Sequence, residues 1–80
     1  MITPQEADEL AKKTIETYVN ACNCMTSKDV GNVLMKLVSS AGLSMKAVEG
    51  REVAVDRLLS TAWYVKNYDI IKSAPKTTSH

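Results

Sequence analysis

The chain has 80 residues, is 45% hydrophobic and 24% charged, and carries a formal net charge of +1, which bounds it to one small folded domain. Gly (3) and Pro (2) are scarce, so neither a disordered nor a low-complexity chain fits. Ten basic and nine acidic residues are interspersed, leaving no field that marks a nucleic-acid or anionic-membrane surface.

The first predicted element opens on Thr3, Pro4 and Glu6. They supply an N-cap hydroxyl, a proline at the first helical position and a carboxylate three residues after the cap, and they predict a helix over about 4–21. Ala7, Leu10, Ala11, Thr14, Ile15, Tyr18, Val19 and Cys22 recur at spacings of three and four and are expected to form its inner face. The other side carries Glu9, Lys12, Lys13 and Glu16, with Asp8 to Lys12 and Glu9 to Lys13 at the favourable i, i+4 offset, a solvated face.

After a break over 20–25, Thr26 with Asp29 repeats the capping pattern, and Met25 and Val30 stand at the positions of a hydrophobic staple. Val30, Val33, Leu34, Leu37, Val38, Ala41, Met45 and Val48 keep one phase through Gly42, predicting a helix over about 27–48. Gly50 fits the left-handed residue that ends a helix, making Glu49-Gly50 a tight connection into a third helix over about 51–68. Ala54, Val55, Leu58, Leu59, Ala62 and Val65 form that helix's expected inner face, with Trp63 at its border. Only Val53 to Val55 and Ile70-Ile71 hint at strand. The fold expected is all-α: a small three-helix domain over 1–72, in which the second and third helices form an antiparallel hairpin with the first packed across it. Residues 73–80 read as a flexible polar tail.

A domain this small, near the size of roughly 70–80 residues below which a hydrophobic core alone rarely suffices, leans on a staple. Cys22 and Cys24 are too close for an unstrained internal disulfide, and no metal site is expected, because the only histidine is His80 in the tail. Oligomerisation remains. Apolar residues that miss the main stripes, Met35, Leu43, Val53, Tyr64 and Tyr68, are the candidate subunit interface. The small residues Ser39, Ser40, Ser44 and Ala47 beside Gly42 would also let another helix approach.

Catalysis finds no Ser-His or Cys-His pair, no phosphate loop and, in Glu52 and Asp56, a carboxylate pair without a pocket, so no enzyme and no cofactor are expected. The run Ala41-Gly42-Leu43-Ser44 with Val48 resembles the turn of a helix-turn-helix. Its reading surface of Ser44, Met45, Lys46 and Glu49 holds one basic residue, which argues against nucleic acid as a partner. No apolar run is long enough to span a membrane and the N-terminus has no signal-peptide pattern, so a cytoplasmic location is expected.

Two resemblances bear on role. The run from Asp29 to Leu37, Asp-Val-Gly-Asn-Val-Leu-Met-Lys-Leu, together with Glu49-Gly50, resembles short uncharacterised helical accessory proteins of phages and prophages. That implies a location in the host cytoplasm and a role in blocking or titrating a host protein, such as a component of host defence. The segment Arg51-Glu52-Val53-Ala54 through Leu58, Leu59, Ala62 and Trp63 is similar to the closing helix of phage helical-hairpin proteins that sequester cyclic-oligonucleotide signals. It implies a small-nucleotide site in which Arg51 and Arg57 meet phosphate and Tyr64 or Tyr68 stacks on a base. That family's ligand-binding residues have no counterpart in the N-terminal half, and none is carried over.

Overall fold

A computed structural model describes residues 1–73. It contains four helices, α1 (Pro4–Ala21), α2 (Ser27–Glu49), α3 (Arg51–Lys66) and α4 (Tyr68–Ser73), and no strand among the described residues. The polar tail expected over 73–80 lies, from residue 74 onward, outside them.

The N-terminus of α1 is a reciprocal cap. Thr3 Oγ1 accepts from the Glu6 backbone N–H at 3.1 Å, and a Glu6 carboxylate oxygen accepts from the Thr3 N–H at 3.0 Å. Pro4 occupies the first turn, where its missing N–H costs nothing. At the other end the Cys22 N–H reaches back to the carbonyls of Tyr18 and Val19. Asn23 then takes φ 53°, a left-handed conformation that asparagine tolerates better than most side chains.

Helix α2 starts on the second cap. The Asp29 carboxylate accepts from the N–H groups of Met25 (3.0 Å) and Thr26 (3.2 Å), while Thr26 Oγ1 accepts from the Asp29 N–H (3.1 Å). The staple expected with it gives Met25 little cover, since that side chain stays 88% exposed. Gly42 does not interrupt the helix, which runs unbroken to Glu49, so residues 41–44 are helical rather than the turn that a helix-turn-helix would need there. The reason a glycine stands there is contact: a methyl group built on Gly42 would lie 3.0 Å from Leu58 Cδ1. Gly31 is different, being exposed with no atom within 4 Å of such a methyl. Gly31→Ala is therefore expected to stabilise the chain by about 0.5–1 kcal/mol through helix propensity and a less flexible unfolded state. A rise in the thermal midpoint at fixed protein concentration checks this.

One residue joins α2 to α3. Gly50 adopts φ 94° and ψ 164°, a region essentially closed to side-chain-bearing residues rather than the left-handed helical region expected from the sequence. Its N–H closes α2 on the Lys46 carbonyl (2.9 Å), and its own carbonyl accepts from the Ala54 N–H (3.1 Å). Val53–Val55 and Ile70-Ile71, the two hints of strand, are helical.

The third helix stops short of its expected end at 68. Asn67 leaves helical geometry at φ −106°, ψ 11°, and its side-chain Nδ2 donates to the Trp63 carbonyl at 2.9 Å, capping α3. The chain restarts as α4, with Asp69 in its first turn and Lys72 in its last, where each complements the helix dipole. Among the described residues the fold therefore has four helices instead of the three expected.

Two compact units divide the chain inside α2, Met1–Ala41 and Gly42–His80, the latter described as far as residue 73. In the first, Tyr18, Val19, Val30, Val33, Leu34 and Leu37 are half-buried, and the Tyr18 hydroxyl donates to the Val33 carbonyl at 2.8 Å. In the second, Ala54 is 2% exposed, Gly42 is buried, and Met45 and Leu58 are half-buried. Ala54 is the one fully buried hydrophobic residue among those described. Much of each stripe expected to face inward is instead open: Leu10 is 57% exposed, Leu59 64% and Val48 83%.

Candidate functional site

The candidate surfaces follow from which apolar residues the helices leave uncovered. On α1 the hydroxyl of Thr14 is spent on the Leu10 carbonyl at 2.7 Å. Ala7, Leu10, Ala11, Thr14 and Ile15 then line, with Ile2 and Leu37, an open groove of about 390 Å³. On α3, Val55, Leu59 and Trp63 recur every four residues and are all exposed, forming one continuous ridge. Sequence periodicity had assigned these residues to the core or its border. The signal that could have exposed them was the third helix's apolar content on more than one side, which a helix covered on one side only cannot use.

All five residues expected at a subunit interface, Met35, Leu43, Val53, Tyr64 and Tyr68, are exposed. Tyr64 and Tyr68 meet edge-to-face, with ring centroids 5.6 Å apart and planes at 77°, and the Lys72 ammonium lies 5.7 Å from the Tyr68 ring centroid. Val53 shares the α3 face of Tyr64, since eleven residues return to within about 20° on a helix. Leu43 lies roughly 160° round α2 from the half-buried Met45. Met35 belongs to the first unit.

The residues expected to meet phosphate line different hollows, which share Glu49 and Val53. Arg51 lines a hollow with Lys46, Glu49, Gly50, Glu52 and Val53. Arg57 lines others, one with Ser44, Met45, Val48 and Glu49 and one with Val53, Asp56, Ser60 and Thr61. The Arg57 guanidinium is already engaged in a two-pronged ion pair, its terminal nitrogen donating to one Glu49 oxygen at 2.7 Å and its Nε to the other. The arginine hydrogen bonds hold the Glu49 carboxyl below its ordinary value of 4.5. Hydrogen bonds from Thr3, the backbone one first, do the same for Glu6.

A carboxyl lowered on folding stabilises the folded state above its ordinary value and loses that contribution as pH falls through its folded value. Helicity at fixed protein concentration is therefore expected to fall as pH drops below 4.5, and Glu49→Gln is expected to flatten the part of that dependence owed to the α2–α3 connection. An acid titration followed by circular dichroism compares the two chains.

Around the first break, Cys22 is exposed and Cys24 half-buried, and both thiols are free. Burial raises the Cys24 thiol above its ordinary value, with smaller contributions from Cys22 and Asp29, which disfavours the nucleophilic thiolate. Burial likewise raises the Tyr18 hydroxyl, ahead of the effects of Cys22 and Cys24. Among the described residues no cluster of three or more His, Cys, Asp or Glu is placed to hold a metal ion, and no helix is long and apolar enough to cross a membrane.

No protein-family model matches the chain, and neither a curated protein nor a solved structure matches it at a significant level.

Proposed function

We propose that this protein is a non-enzymatic binding protein whose working form is a homo-oligomer of helical chains, with the end of α2 and α3 acting as an antiparallel hairpin. One observation carries the reading: among the described residues a single hydrophobic side chain, that of Ala54, is buried. A lone chain with so little core has little to set against the conformational entropy of folding. The hairpin is supported by the one-residue link at Gly50, the Glu49–Arg57 pair and the Leu58 side chain against Gly42. Association through Met35, Leu43, Val53, Tyr64 and Tyr68, all exposed, would cover apolar surface that a monomer leaves in water.

The role that fits best is an accessory factor that inhibits or sequesters a host protein, as the phage-protein resemblance implies. A small-nucleotide sponge is less well supported, because the Arg57 fork is occupied by Glu49 and Arg51 lines a different hollow. A DNA-binding regulator loses its turn to the continuous α2. Light scattering tests the shared premise: an oligomer is expected at micromolar concentration, and a strict monomer overturns it. Tyr64→Ala and Met35→Ser are expected to reduce the mass while helicity is retained; unchanged mass removes those two residues from the contact.

A further inference from the structure

We infer that α3 pairs with α3 of a second copy, antiparallel and about a two-fold axis at Leu59, so that Glu52 of each chain lies beside Lys66 of the other. The inference deepens the self-association proposed above and rests on it. Two observations carry it. The Val55, Leu59 and Trp63 ridge is exposed along its length, with Leu59 64% and Trp63 62% open, and rows of side chains at i±4 are the ridges by which helices interlock.

The second observation is the arrangement of residues about Leu59. In a two-fold antiparallel pair each residue a given number of positions before the centre faces the residue the same number after it. Val55 and Trp63 stand four positions either side of Leu59, which sets a small side chain against a large one. Glu52 and Lys66 stand seven positions either side, two helical turns that return to within about 20° of the same face. The acid therefore meets the base at both ends of the contact. Among the described residues neither Glu52 nor Lys66 has an ion-pair partner within its own chain.

Charge reversal tests the register. Glu52→Lys and Lys66→Glu each replace two attractive contacts with two repulsive ones and are expected to raise the dissociation constant about tenfold. Mixing the two variants restores both pairs between unlike chains, so the mixture is expected to associate where each alone does not. In a Cys22→Ser, Cys24→Ser background, Leu59→Cys is expected to form a covalent dimer on mild oxidation, and Thr61→Cys, exposed and roughly 160° round α3 from Leu59, is expected to form none. An oligomer indifferent to both reversals, with no crosslink through residue 59, overturns this pairing and leaves self-association standing. A wild-type chain that is monomeric overturns both. A reversal that loses helicity is read through the crosslink alone.

Discussion

Gly50→Ala is expected to destabilise the chain by about 1–3 kcal/mol, the cost of holding a side-chain-bearing residue where only glycine is comfortable. Space is not the cause, because a methyl group on Gly50 would meet no atom within 4 Å. The cost is in the backbone, at φ 94° and ψ 164°. Those angles let a single residue end α2 and begin α3, which places Glu49 within reach of Arg57. The variant should show a lowered denaturation midpoint and a weakened response to Glu49→Gln, since the two residues support the same connection. A midpoint equal to wild type would show that the link does not hold this conformation.

Gly42→Val is expected to cost about 1–3 kcal/mol by overpacking, despite valine's better helix propensity than glycine's. The β-carbon alone would stand 3.0 Å from Leu58 Cδ1, and the branched methyls need further room beside the buried Ala54. Leu58→Ala on its own is expected to cost about 2 kcal/mol, toward the lower end for a leucine because the side chain is half-buried. Combined, the two changes should cost less than their sum, because removing Leu58 relieves the crowding that valine creates. Strict additivity in denaturant unfolding would mean that the two positions do not touch. Gly31→Ala is the internal control, since the same backbone argument without a neighbour gives the opposite sign.

The local structure was legible where short-range chemistry decides it. Thr3 with Glu6 and Thr26 with Asp29 mark helix starts because their side chains complete backbone hydrogen bonds three residues away. Gly50 marks the connection because no other residue suits its backbone. The unbroken phase from Val30 to Val48 favoured a continuous α2, but Gly42 and the turn-like run 41–44 left an interruption open in the sequence, and the structure shows none there. The break at Asn67 was not legible, because a six-residue helix is too short to show a period and its apolar pair Ile70-Ile71 reads equally as strand.

What covers each stripe was the larger omission. Periodicity shows that Leu10, Ile15, Leu59 and Val65 lie on apolar faces, and all four remain exposed. A pattern of spacing records the direction of a side chain along its own helix, while its partner is set by chain-to-chain packing that no single helix encodes. The five residues singled out as surplus, Met35, Leu43, Val53, Tyr64 and Tyr68, were thus only part of the uncovered surface, and the ridge through Leu59 belongs with them. Arg57, expected from the sequence as a fork for phosphate, pairs with Glu49 across the turn at Gly50, a partner that spacing along one helix does not reveal.

The sole tryptophan makes the central claim directly measurable, because Trp63 is exposed in the single chain and would be covered in an associated one. Sedimentation velocity across a concentration series, with Trp63 emission recorded on the same samples, is the decisive measurement. Self-association predicts a species of at least twice 8.8 kDa and emission that moves to shorter wavelength as it forms. A single 8.8-kDa species with unchanged, solvent-exposed emission at every concentration would contradict the account.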